Sequence, residues 1–451
     1  MNKKLNTFSL AWPIFIEMFL KYLVGYIGVF ILSKYSDAAV AAVGVCNQLN
    51  YLLIILYSVV NSGTSIIIIQ YLGAGKKDYV EDIIWISLFV NFIFGVICSI
   101  GLVIFCPYIL SLMGLKGEIL IYGIQYLCIT GSMSFIQSVS TTASSIIRAF
   151  KYTNISMYVM VIVNILNIIG SYISIFRPFG IPQFGVRGIA VSAVSSQFIG
   201  LIILLSILRH KIELKSVTKL CRSNLSKIIS EIYRLGIPSA GEVLVAHLSQ
   251  LTITSIISLL GSNELITRTY VFNLLLFIMM FSNSIGQATQ ILVGHFVGAK
   301  DTERAYKIGI NNLKYAILLS GSSSIVFAVL GKNLLNIFTH NQAVIQIGRN
   351  LLTISIILEI GRSLNLVVIN ALKGSGDVKF PVFIGIFTMW GFGVLFSYIL
   401  GIYFKLGLYG VWIAFCMDEW IRGIIMLMRW KSKKWIYKIV LTSSNDSNIS
   451  Y

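Results

Sequence analysis

Charge is scarce in this sequence. Asp, Glu, Lys and Arg make up 12% of the 451 residues, where a soluble domain carries about 25%. Acids are scarcest, 17 against 35 Lys and Arg. With 57% of its residues hydrophobic, the chain does not have the composition of a soluble globular protein. Sequences that carry common chemistry are missing too. No Gly-x-x-x-x-Gly-Lys-Ser/Thr run is present to cradle phosphates, so ATP hydrolysis is not expected. No Gly-x-Ser-x-Gly elbow or nucleophile–base set is visible, and the chain is not read as an enzyme. Cys46, Cys98, Cys106, Cys128, Cys221 and Cys416 are scattered, with no Cys-x-x-Cys or Cys/His pattern, which argues against disulfides and metal ligation. Ten-residue alternation of apolar and polar side chains is absent, which argues against a β-barrel.

What is present is a succession of long apolar runs, such as 83–105, 155–176 and 315–330. About 20 such residues cross the hydrocarbon layer. Without water there, the backbone must satisfy itself, so these runs are helices. The predicted helices are 8–32, 46–70, 83–106, 122–146, 154–176, 187–208, 235–260, 268–293, 310–330, 350–371, 380–402 and 407–429. The first resembles a signal peptide, but it is too long, contains Glu17 and Lys21, and lacks a small-residue cleavage site. With both termini cytoplasmic, about 24 Lys and Arg fall on cytoplasmic segments and about 8 on external ones. The net charge of +18 therefore sets orientation and does not point to nucleic acid.

The longest polar connection, 209–234, carries seven Lys and Arg and follows the sixth helix. Leu225, Ile228, Ile229 and Ile232 in it follow helical spacing and suggest a short amphipathic helix on the membrane surface. The expected organisation is a six-helix lobe 1–208, a basic cytoplasmic linker 209–234, a second six-helix lobe 235–430 and a cytoplasmic tail 431–451. The halves repeat each other. Pro13 and Glu17 match Pro238 and Glu242 at an offset of 225, as do Gly73-Ala74 with Gly298-Ala299 and Thr64 with Thr289. Gly185 and Gly188 match Gly407 and Gly410 at 222. Six helices return the chain to the same side, so the halves are parallel repeats related by a pseudo-two-fold axis along the membrane normal. The expected fold class is thus an all-α membrane protein of about twelve spans in two lobes, with transporter architecture.

Ionisable groups inside spans are costly and face the protein interior. Glu17 with Lys21, Glu359 with Arg362, and Asp418 and Glu419 with Arg422 have the i, i+3 or i+4 spacing that puts both partners on one helix face. Their alternative roles are structural ion pairs or ion coupling. Glu242 has no such cation on its own helix, so it is expected to take up a proton or bind a metal cation, tentatively Na⁺. His247 lies just over one turn onward. Gln48, Asn50, Gln287, Asn365 and Asn370 are candidates to line a cavity, and Trp390, Tyr398 and Phe277 to offer ring faces to an organic cation. No cofactor is expected.

Several segments resemble the multidrug and toxic compound extrusion (MATE) family, within a larger group that includes lipid-linked oligosaccharide flippases. They are Tyr35–Gly44, Phe184–Ala190 with Gln197, Gly286–Gly294 running into Gly298-Ala299, Gly361–Asn365, Ala371–Pro381 and Trp412–Trp420. The resemblance runs nearly end to end. It implies a V-shaped pair of six-helix lobes in a bacterial plasma membrane, exporting organic cations or other amphipathic small molecules in exchange for H⁺ or Na⁺. It also implies coupling through membrane carboxylates, and Glu242 matches a Pro-x-x-x-Glu pattern found in part of the family. One departure stands out: where many members carry Asp in helix one, this chain has Gly28. Either coupling then rests on Glu17 or the C-terminal lobe, or coupling in the N-terminal lobe is lost; Lys21 is a candidate to stand in for a bound cation at Glu17. A monomer in the lipid bilayer is expected. The alternatives are a lipid-linked oligosaccharide flippase, which would favour a basic cavity, and a non-transporting degenerate protein.

Overall fold

The computed structural model describes residues 6–176, 182–212, 214 and 225–440. Every regular element among them is helical. In chain order these are α1 (Thr7–Ser33), α2 (Asp37–Gly73), α3 (Lys77–Leu112), α4 (Gly117–Ser132), α5 (Ser134–Ala149), α6 (Thr153–Phe176), α7 (Gly185–Lys211), α8 (Leu225–Ser258), α9 (Ser262–Gly298) and α10 (Thr302–Val329). Then follow α11 (Gly331–Asn336), α12 (Gln342–Ser375), α13 (Lys379–Thr388), α14 (Leu395–Tyr398) and α15 (Gly407–Lys431). Ten described helices are long and apolar enough to cross a membrane, or eleven if the bent pair α4–α5 is one span. The expected twelve needs α15 as well, which carries Asp418, Glu419 and Arg422 in its middle. Large apolar side chains face outward, among them Phe89 at 64% and Leu318 at 68% exposure. Lipid solvates such a surface and water does not.

The described helices run past the apolar runs that announce them. Polar ends fix their limits: Asp301 caps α10 by accepting from the Arg304 amide at 3.1 Å, and Asn341 caps α12 by accepting from the Ala343 amide at 3.0 Å. One expected helix, 122–146, is broken. It bends by 50° between α4 and α5. There the Phe135 amide turns to the Ser99 hydroxyl of α3 at 3.3 Å, so a neighbouring side chain takes over a ladder position. The expected helix 380–402 contains two π turns, Met389–Val394 and Ile399–Tyr403.

The chain forms two compact units, one of Ile16–Ile68 and Lys76–Ala240, the other of residues up to Phe15, Ile69–Gly75 and Gly241 onward. For brevity these are the N unit and the C unit. In the N unit, α3 packs on α4 and α5, and α7 packs on α4, α5 and α6. In the C unit, α12 is central, against α9, α10 and α15. The expected surface helix near 225–232 is instead the start of α8, with Ile228 and Ile232 buried in the N unit. A Cβ on Gly63 of α2 would collide with the Ile232 carbonyl, so only Gly admits this approach. Residues 215–224 and 441–451 of the expected linker and tail lie outside the described residues.

The repeat is written into the backbone. Left-handed residues recur at the same offsets: Gly75 (φ 73°) with Lys300 (φ 61°), Lys151 (φ 68°) with Gly376 (φ 94°), and Gly185 (φ 56°) with Gly407 (φ 59°). Within the C unit, the ends of α2 and α9 meet reciprocally. Gly73 lies against the His295 carbonyl and Gly298 against the Gln70 carbonyl, positions again 225 apart.

Candidate functional site

In the C unit the charges singled out by helical spacing converge. Arg362 on α12 pairs with Glu359 one turn before it and donates from Nε to Glu419 of α15 at 3.2 Å. Asn365, one turn on, donates to the other Glu419 oxygen at 2.7 Å. Arg422 pairs with Asp418 at 2.8 Å and reaches Glu419 at 3.4 Å. Helical spacing supplies this directly: 359, 362 and 365 lie on one face of α12, and 418, 419 and 422 on the facing side of α15. Glu359 is fully buried, and Asp418 and Arg422 nearly so. Removing such charges from water is expensive, and the mutual pairing offsets it. The π turn at Met389–Val394 puts Gly393 beside Asp418. Such turns inside α-helices gather at functional sites.

Glu242 joins this neighbourhood, and here one expectation is overturned. Its carboxylate is not without a cation, because Lys373 Nζ of α12 lies 2.8 Å from Oε2. Arg422 is also within electrostatic reach. Glu242 is therefore paired across helices, and is not the lone carboxylate that spacing along α8 suggests. The partner is invisible in the sequence because it sits on another helix, 131 residues away, near the expected cytoplasmic edge. His247 lies half-buried further along α8. No group of three or more His, Cys, Asp or Glu able to hold a metal occurs among the described residues.

The pairing expected between Glu17 and Lys21 is also corrected. Glu17 pairs with Arg148 of α5 at 2.8 Å and accepts from the Ser156 hydroxyl at 3.2 Å. Arg148 also donates to Ser144 at 3.2 Å. Lys21, a turn further along α1, feels both charges but is exposed. The repeat holds the signal for both missed partners: Arg148 plus 225 is Lys373, so both halves carry the same acid–base pair at the same separation of 131 residues.

The N unit contains a cavity of about 160 Å³ with Gly25, Gly28, Asn47, Tyr126, Asn167 and Ser171 among its lining residues. Among the described residues no charged side chain lines it. A Cβ at Gly28 would meet nothing within 4 Å, so the space a helix-one carboxylate would use is open. Of the expected cavity polar groups, Gln48 is exposed and Asn50 half-buried, and Asn47 takes the lining position. A step of one residue turns the helix by about 100°, enough to move a side chain off a narrow face. In the C unit, Asn365 belongs to the charge network, Gln287 is half-buried, and Asn370 donates to the Leu366 carbonyl of its own helix at 2.8 Å. Trp390 and Tyr398 are exposed.

Lipid-facing helices in two units, one enclosing a network of paired buried charges, are the build of a multi-pass membrane transporter. The MatE family profile matches residues 13–173 and again 238–399, two stretches that begin 225 residues apart. The chain belongs to the MatE family, the MATE transporters. It is 38% identical over 437 residues to the "Uncharacterized transporter YisQ" of Bacillus subtilis (strain 168), covering 97% of this chain and 96% of that protein. It is 28% identical over 436 residues to the "Probable multidrug resistance protein NorM" of Thermotoga maritima, covering 96% and 93%. A solved structure of MATE in the bent conformation superimposes with a TM-score of 0.89 at 21% identity, over 97% of this chain and 96% of that one. These likenesses place the protein among membrane transporters of small molecules with a two-lobe helical fold.

Proposed function

We propose that this protein is a secondary active exporter that exchanges an amphipathic or cationic small molecule for H⁺ or Na⁺ by alternating access. It acts as a monomer in a bacterial plasma membrane, with both termini cytoplasmic. One observation carries the reading: the charge cluster between α8, α12 and α15 does not balance. Glu242, Glu359, Asp418 and Glu419 face Arg362, Lys373 and Arg422, four acids to three bases. A membrane interior tolerates such a surplus when a proton or cation supplies the missing charge. Gradient energy then enters as that proton or cation, and its exchange for a cationic substrate couples the two flows. The same surplus disfavours a pyrophosphate-bearing lipid, whose negative charge would add to it.

Efflux of ethidium from proteoliposomes under separate H⁺ and Na⁺ gradients tests the reading. Wild type is expected to follow one gradient, and D418N to lose gradient-driven flux by at least about tenfold. Equal flux in both proteins would move coupling away from this cluster, and absence of flux in folded wild type would overturn the proposal.

A further inference from the structure

The two acid–base pairs share a frame but are not held alike. In the N unit, Glu17 and Arg148 are each held by a further hydroxyl, from Ser156 and Ser144. A guanidinium is planar, permanently charged and rigid in its fork of donors, so this pair is a fixed strut. In the C unit the partner is a lysine. Its ammonium rides a flexible four-carbon stem and makes a single contact to Glu242 at 2.8 Å. Among the described residues no hydroxyl or amide donates to the Glu242 carboxylate. Lys373 also lies in the last turn of α12, just before the left-handed Gly376. The carbonyls of a helix C-terminus attract a cation, so an ammonium that leaves Glu242 has a second favourable place within reach of its stem.

We infer that Lys373 is a tethered cation that occupies Glu242 in the substrate-free protein and gives way to a transported monovalent cation. This rests on the exporter reading for its cargo, but the exchange at Glu242 is measurable without transport. Lys373 then sets selectivity: a cation enters only if it binds the carboxylate better than the protein's own ammonium does. Around Glu242, α12 presents Lys373 and α15 presents Arg422 with its partners Asp418 and Glu419, while α13 presents Gly385, which brings no charge. Arg422 is committed to two acids, which leaves Lys373 as the exchangeable cation.

The test uses purified full-length protein. Ethidium binding is read by fluorescence polarisation, and Na⁺ binding by thermal unfolding in NaCl against N-methylglucamine chloride. K373Q is expected to bind one of the two cations at least about tenfold tighter than wild type. K373Q/E242Q loses that gain, and K373R, which puts the rigid fork at the same carboxylate, binds the cation more weakly than wild type. The arm that responds identifies the cation as organic or as Na⁺. No gain in K373Q, or a gain that survives in the double variant, overturns the tether. Should K373Q fail to fold, wild type gives the answer through Lys373 reactivity toward a water-soluble amine-directed ester. Adding ethidium or NaCl should raise modification of Lys373, and unchanged modification with both overturns the inference. Export of ethidium with no response at Lys373 removes the tether and keeps the exporter; a gain in K373Q without export does the reverse.

Discussion

Ser134, Gln137, Ser140, Ser196, Gln197 and Gly200 of the N unit are the repeat counterparts of Glu359, Arg362, Asn365, Asp418, Glu419 and Arg422 in the C unit, at offsets of 225 and 222. Every charged position of one network is neutral in the other. What both halves keep is the backbone, down to matching left-handed residues, and one acid–base pair each. Duplication preserved the scaffold, while electrostatics diverged. Around these counterpart positions the N unit uses neutral hydrogen bonds, as where Asn91 donates to Thr142 at 2.6 Å and Tyr57 donates to Ser134 at 3.0 Å. The C unit uses buried ions, which are costly unless every partner stays in place.

That contrast predicts its largest effect at Arg362. Replacing it with Ala strands fully buried Glu359 and removes a partner of Glu419. The expected loss is about 3–5 kcal/mol of stability, against under about 1 kcal/mol for Ala at its counterpart Gln137. Thermal unfolding of the purified variants checks this, and equal losses would break the comparison. A smaller effect is expected from G28D, which places a carboxylate in the neutral N-unit cavity where there is room for it. Desolvation should cost about 1–3 kcal/mol, and ethidium efflux should become more sensitive to the H⁺ or Na⁺ gradient. Efflux unchanged from wild type would mean that this cavity takes no part in coupling. The smallest effect belongs to R148K, which exchanges the fork of the N-unit pair for a single donor. About 0.5–1 kcal/mol of stability should be lost, with export kept, as thermal unfolding and efflux would show.

Much of the frame is legible in the amino-acid sequence alone. Hydropathy announces the spans because lipid demands long apolar helices, and the offset of 225 exposes the repeat because glycines at close approaches tolerate no replacement. The network of α12 and α15 is half visible: i, i+3 and i+4 spacing pairs Glu359 with Arg362 and Asp418 with Arg422. What spacing along one helix cannot show is a partner on another. Glu242 therefore reads as unpaired and Glu17 as the partner of Lys21, while Lys373 and Arg148 pass as edge charges. The break at Met133 is hidden for the same reason, since its cause is Ser99 on α3.

The unit boundaries also bear on how the chain is made. The C unit includes residues up to Phe15, where Thr7 donates to Asn312 at 2.7 Å, and the N unit includes the start of α8 through Ala240. During synthesis the earliest residues must wait for the latest to emerge before their own unit is complete. A gene cut between the repeats, at the basic linker, would leave each unit without helical turns that the other fragment carries. Two fragments made separately should accordingly recover function only when co-expressed, each supplying the turns that the other's bundle lacks.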